Sequence, residues 1–236
     1  MTAGRLRRKL CSSVILFALC RSVVASATPI YAFDFTTQPA GDAAPWLKEH
    51  GFEFKLSFAA LNPRFENGAL RLTAHGPVSG LCGHIFPEGS ELHGVRHVRL
   101  TWGVQKYPEG ADWERGNRRT AAGVVITFGY ERISSGLPFG IFAAPYFICP
   151  FIGEKEIENK IYLGRFYRKG GRYICVKAPA LDEAFVTDLE VDELFRHLFE
   201  KTVTPPITAV AIQMNTRDTQ GTAAAFIKKI EFLDGE

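Results

Sequence analysis

Beyond its first 27 residues this 236-residue sequence has no run of 18 or more apolar residues, so no later segment reads as a membrane-spanning helix. It has no Gly-x-Ser-x-Gly elbow, no His-Glu-x-x-His, no Walker loop and no dinucleotide fingerprint. The local signatures of serine hydrolase, zinc peptidase and nucleotide chemistry are therefore missing, which leaves only sites assembled from distant strands. No Asn-x-Ser/Thr acceptor occurs. Internal repeats, low-complexity tracts and linkers are lacking too, which argues for one domain. Cysteine is sparse: five in all, two of them within the first 20 residues.

What is there begins with a targeting pattern. Arg5, Arg7, Arg8 and Lys9 precede the apolar run Leu10–Cys20, and Ala25-Ser26-Ala27 offers small residues where a signal peptidase reads. The expectation is a signal peptide over 1–27 and export to the periplasm or medium. Cleavage removes five of the 28 basic residues and no acidic ones, leaving 23 against 25 and a net charge of −2. The overall basicity belongs to the leader and gives no argument for nucleic acid or an anionic membrane.

The remaining residues 28–236 suit a single domain with a core of its own. They read as short strands separated by glycine and proline. Tyr31–Phe35 alternates, and Phe52, Phe54, Leu56 and Phe58 share one face of a second alternating run. Asn67-Gly68 is a hairpin turn between Arg64-Phe65 and Ala69–Thr73. Further candidates are Gly80–Phe86, His97–Val104, Gly123–Tyr130, Lys160–Phe166, Tyr173–Lys177, Ile207–Met214 and Ala224–Leu233. The predicted fold is all-β, a jelly-roll-like β-sandwich with one amphipathic helix near residues 188–201.

That helix is marked by Val191, Leu194, Phe195, Leu198 and Phe199, an apolar stripe at helical spacing. Thr187-Asp-Leu-Glu190 fits a capping box with Thr187 as N-cap, and Val186 with Val191 fits its hydrophobic staple. Pro205-Pro206 prevents continuation. Glu190-Val-Asp192 nearly matches a glycosidase Glu-x-Asp-x-x-Glu motif, but Phe195 stands where the last carboxylate belongs, so the segment reads as a helix start.

Two long loops attract attention. Lys106–Thr120 carries Tyr107, Trp113, Arg118 and Arg119, and 131–159 carries Phe142, Tyr146 and Phe147. Polar loops bearing aromatics on a rigid scaffold are where binding chemistry tends to sit. Tyr107, Trp113, Arg118, Arg119 and Tyr146 are the candidate ligand-binding residues. Trp113 reads either as a platform for a sugar ring or as an anchor for its own loop. His75, His84, His93 and His97 lie near Cys82, yet Gly94 spoils the helical spacing a zinc pair would use, and surface histidines are the preferred reading. Cys149 and Cys175 are the candidate disulfide, with three buried free thiols as the alternative. Asp34, Asn215 and Asp218 are the candidate cation set, since a structural Ca²⁺ in jelly rolls often ties first strand to last. A simple Asp218 turn is preferred to it, and no cofactor is expected.

Val98-Arg-Leu-Thr-Trp102-Gly-Val, Arg119–Phe128 and Ala209–Thr219, with the strand Ala224–Phe232 that follows, resemble in order and spacing the bacterial family called domain of unknown function 3047. The resemblance covers about residues 95–234, with weaker echoes back to Phe33. It implies an exported protein with a jelly-roll-like fold similar to carbohydrate-binding modules, and no established activity. The chain departs from the family at Arg118-Arg119-Thr120, where acidic residues are usual, and at Arg217, which replaces an aspartate in the last turn. The expected function is a non-catalytic exported binding module for a saccharide or cell-envelope polymer. A glycan hydrolase or lyase on the same scaffold, and a structural envelope protein, are the alternatives.

Overall fold

The computed structural model describes residues 27–135 and 143–235. The expected leader, apart from Ala27, and Phe142 lie outside these residues. In chain order the elements are β1 (Pro29–Asp34), β2 (Gly41–Asp42), α1 (Ala44–Glu49), β3 (Phe52–Leu56), β4 (Arg64–Phe65), β5 (Leu70–His75), β6 (Ser79–Ile85) and β7 (His97–Lys106). They continue with β8 (Thr120–Ile133), β9 (Ala144–Ile152), β10 (Ile161–Tyr162), β11 (Gly171–Val176), β12 (Phe185–Glu190), α2 (Val191–Phe199), β13 (Ile207–Asn215) and β14 (Thr222–Leu233).

The strands form two sheets that face one another, the predicted β-sandwich. One runs β12-β7-β14-β5-β4-β2, with β1 also paired to β14; the other runs β10-β11-β9-β8-β13-β6-β3. Strand pairing is antiparallel except between β9 and β11. Period-2 alternation explains why these segments pair face to face. On β8, Val124, Ile126 and Phe128 enter the core, as do Val210, Ile212 and Met214 on β13. Trp102, Phe128, Phe195 and Phe232 are among the largest fully buried side chains. Among the described residues no helix is long and apolar enough to cross a membrane.

The hairpin from β4 to β5 forms as expected, with Asn67 at φ 52° and Gly68 at φ 64°, the paired left-handed residues of a tight turn. Other expectations need correction. Leu56 adopts φ 57° and ends the alternation of β3, so it is exposed while Phe58 is buried in the short 3-10 turn that follows. The helix starts later than its capping box suggests. Phe185–Glu190 is a strand paired to β7, and Glu190 occupies the N-cap without a side-chain bond. Thr187 does not cap because it lies within the strand, four residues before the helix begins, and its Oγ1 accepts the indole N–H of Trp102 at 2.9 Å instead. The apolar stripe itself is right: Val191, Phe195 and Phe199 are buried, and Leu194 and Leu198 are partly so. Strand β9, read within a loop, and the short helix α1 are unanticipated.

Candidate functional site

The two outer faces of the sandwich differ in kind. On the first sheet Arg99 stands between Asp188 and Glu231 on neighbouring strands, and Lys229 stands opposite Asp34. Arg99 donates to Asp188 Oδ2 at 2.6 and 2.8 Å, His97 Nδ1 lies 2.9 Å from Asp188 Oδ1, and Lys229 pairs with Asp34 at 2.8 Å. This is a lattice of ion pairs. Asp188, which sequence reasoning did not single out, is committed to Arg99 as well as to His97, so it does not serve as a dedicated partner of an imidazole base.

The second sheet's outer face has a floor of small residues. Register puts Gly83, Ala211 and Val125 side by side on β6, β13 and β8, with Ala209 beside Thr127 in the next row and Gln213 beside Gly123 on the other side. Every second residue of β8 and β13 points into the core, so this set points away from it, and Gly83, Val125, Thr127, Ala209, Ala211 and Gln213 are only half-buried. The signal for this strip was in the sequence as small residues at alternate positions on three strands, but it is visible only once the register is known.

A wall rises along one side of the strip. Phe151, opposite Gly123 on β9, forms a second cluster with Tyr162, Cys175 and Tyr173. Trp113 closes it from the loop between β7 and β8. Its ring stacks on Phe151 at 4.4 Å and meets Tyr173 at 4.9 Å and Tyr162 at 5.6 Å. Its indole N–H donates to the Arg119 carbonyl at 3.0 Å, and its backbone N–H donates to Glu156 Oε1 at 3.0 Å. Trp113 is 4% exposed, so it anchors the loop and offers no stacking platform. Glu114 next to it accepts Lys160 at 2.7 Å and Tyr162 at 2.5 Å, and these bonds hold its carboxyl below the ordinary range. Burial pushes the Tyr173 phenol up. Further along, the Phe147 ring lies so close over Gly171 that a Cβ there would meet it at 2.4 Å.

The other candidate ligand-binding residues do not converge. Tyr107 is half-buried against the core, and its hydroxyl is pushed up to about 12 by burial, with Glu154, Cys175 and Glu156 adding to the effect. Arg119 bonds to Asp218 and to the Arg217 carbonyl, tying the loop to the β13–β14 turn. Asn117 Nδ2 reinforces the tie by donating to the Asp218 carbonyl at 3.2 Å. Arg118 Nε is buried without a hydrogen-bond partner. Tyr146 is elsewhere, packed on Phe195 and Phe199 of α2 with Lys201 over its ring.

The cation set does not assemble either. Asp34 lies opposite Lys229, seven strand residues from Thr222, so Asp34 and the Asp218 turn are about 23 Å apart. Each carboxylate already holds a cation, Lys229 or Arg119, and Asn215 Oδ1 accepts the Arg217 N–H at 3.1 Å. These residues do not fit a shared Ca²⁺, and among the described residues no group of three His, Cys, Asp or Glu could hold a metal. The disulfide expectation is corrected on the same grounds. Cys149 stands opposite Tyr173, and Cys175 opposite Phe151, which sets the two Cα atoms about 8 Å apart diagonally, beyond disulfide reach. Cys82, Cys149 and Cys175 are buried free thiols.

The four histidines are scattered. His75 ends β5, His93 borders a depression of about 200 Å³ near Pro205, and His97 joins Asp188. His84 sits in a box formed by Tyr31, Phe33, Phe52 and Phe86, its ring 4.9 to 6.5 Å from theirs.

No family model matches the sequence, and no curated protein does. Solved structures similar in fold include the Emp46p carbohydrate recognition domain in its potassium-bound form, at 10% identity and TM-score 0.41, over 89% of this chain and 100% of that one. The glycoside hydrolase domain of Endo-D from Streptococcus pneumoniae R6 aligns at 6% identity and TM-score 0.34, over 78% of this chain and 20% of that one. A loop-swap mutant of Necallimastix patriciarum Xyn11A aligns at 10% identity and TM-score 0.30, over 85% and 98%. Likeness of this degree carries no argument about activity.

Proposed function

We propose that this chain is an exported, non-catalytic binding module of the domain of unknown function 3047 family, and that it holds a saccharide chain along the outer face of its second sheet. The observation that carries the reading is the half-buried strip Gly83, Ala211, Val125, Ala209 and Thr127, lying beside the wall that Trp113 closes. Sugar rings have apolar C–H faces and polar rims. A floor of small apolar groups with neutral hydrogen-bonding side chains, Gln213 and Thr127, suits both. Binding without hydrolysis is favoured by how the carboxylates are spread. Strands β3, β6, β13, β8, β9 and β11 carry two acids: Glu53, which pairs with Lys55 at 3.3 Å, and exposed Glu131 near the end of β8, three strands away and so at least about 14 Å from it. Glycoside hydrolysis ordinarily needs two carboxyl groups flanking the bond.

Affinity electrophoresis of residues 28–236 through gels containing neutral and acidic polysaccharides tests the reading. The protein should be retarded by at least one polymer, and Ala211→Trp, which fills the floor, should run free with an unchanged unfolding midpoint. Equal retardation of the variant, or no retardation by any polymer, would refute it.

A further inference from the structure

We infer that the chain bound on this strip is an acidic polysaccharide, drawn in by three cations on the turn between β10 and β11; the inference rests on the strip reading above. From Asn159 to Leu181 the sequence has Lys160, Arg165, Arg168, Lys169, Arg172 and Lys177 and no Asp or Glu. Three of these have structural employment. Lys160 pairs with Glu114 at 2.7 Å, and Lys177 donates to the Glu154 carbonyl. Arg172 donates to the Arg168 and Gly171 carbonyls at 3.0 Å and the Leu198 carbonyl at 3.3 Å, and it lies over the Phe199 ring at 4.9 Å. It braces the turn from within.

Arg165, Arg168 and Lys169 are different, although the Arg165 guanidinium lies over the Phe166 ring at 5.5 Å. All three are exposed, and none makes an ion pair among the described residues. Like charges this close repel, so the fold gains nothing from placing three of them within five residues. Their place is specific. Tyr167, between them at φ 61°, accepts the Gly171 N–H at 2.7 Å and sets its ring 5.9 Å from Phe147, which belongs to the wall. The cations therefore stand at the α2 end of the wall, beside the strip. Beyond the far end of β13 the turn carries exposed Arg217, which makes no ion pair among the described residues. A polyanion laid along β13 would meet positive charge at both ends of a neutral floor. A flat anionic bilayer would meet the β10–β11 turn alone, and for that reason the polymer is the occupant we choose.

The test compares the mature domain, the triple variant Arg165→Gln, Arg168→Gln, Lys169→Gln, and Ala211→Trp. Each is titrated with polygalacturonate, with neutral hydroxyethyl cellulose, and with phosphatidylglycerol–phosphatidylcholine vesicles, at low and high NaCl. The expected result is salt-sensitive binding of polygalacturonate, weakened about tenfold in the triple variant as three exposed ion pairs are lost. The unfolding midpoint of that variant should not fall. Polygalacturonate binding that is equal in the triple variant, or preference for the neutral polymer, overturns the inference and leaves the strip reading intact. Binding lost in the triple variant but kept in Ala211→Trp overturns the strip reading, and with it the placing of the polymer on the strip. Binding to the vesicles with none to polygalacturonate overturns both.

Discussion

The indole N–H of Trp102 donates to Thr187 Oγ1 at 2.9 Å across the β7–β12 pair, in a part of the core where Trp102 is fully buried. A buried donor deprived of its acceptor costs the desolvation of that group, so Thr187→Ala should destabilise the domain by about 1–3 kcal/mol. Thr187→Ser keeps the hydroxyl and should cost less. Urea titration of the two variants gives the comparison, and equal midpoints would remove the bond from the account.

Trp113 is expected to behave as core despite its place in a loop. Trp113→Ala should cost about 3–5 kcal/mol, the range for deleting a buried large aromatic, because it strips the cover from Phe151, Tyr162 and Tyr173. An exposed stacking platform would leave the unfolding midpoint unchanged when truncated.

Burial holds the His84 imidazole below its ordinary value, against the opposing effect of its bond to the His50 carbonyl. The unfolded chain therefore binds the proton more readily once pH falls below about 6.5. The contribution of neutral His84 is complete above that pH and is lost as pH falls toward its folded value. The unfolding midpoint should drop between pH 7 and 5, and His84→Phe, with a ring for the same aromatic box, should flatten that drop. A thermal melt series across this window reads it directly.

Burial pushes the Cys82 thiol up to about 12 and the Cys175 thiol up to about 11, and it raises Cys149 as well. Thiolate is the reactive form, so the three should resist a thiol reagent in the native state. All three should react after unfolding without prior reduction. A native domain that needs reductant to reveal its thiols would contradict the strand register given for Cys149 and Cys175.

Much of the architecture was legible because alternation is a local signal. The hairpin at Asn67-Gly68 and the stripe on α2 came from residue types whose backbone or burial preference decides the outcome. The errors have local signals that tertiary partners overrode. Thr187 has the chemistry of a cap, yet a tryptophan 85 residues away claims its oxygen. The Lys106–Thr120 loop was recognised as unusual, but composition cannot say whether Trp113 faces solvent or Phe151. Cys149 and Cys175 are near in space, and only the register shows them two residues out of step. The floor of the proposed site was illegible for the same reason, since glycine and alanine signal nothing until neighbouring strands align them.

The parallel pairing of β9 and β11 forces the chain to return along the sheet before β11 can start. In doing so it lays Glu156 beneath Trp113 at one end and Tyr167 against Phe147 at the other. One uninterrupted stretch, residues 153–170, thus borders the strip at both ends, while the floor belongs to β6, β8 and β13. Charge at its exposed tip, Arg165, Arg168 and Lys169, can therefore change without disturbing that floor, whereas Glu156 and Tyr162 in the same stretch are tied to Trp113 and Phe151 and cannot.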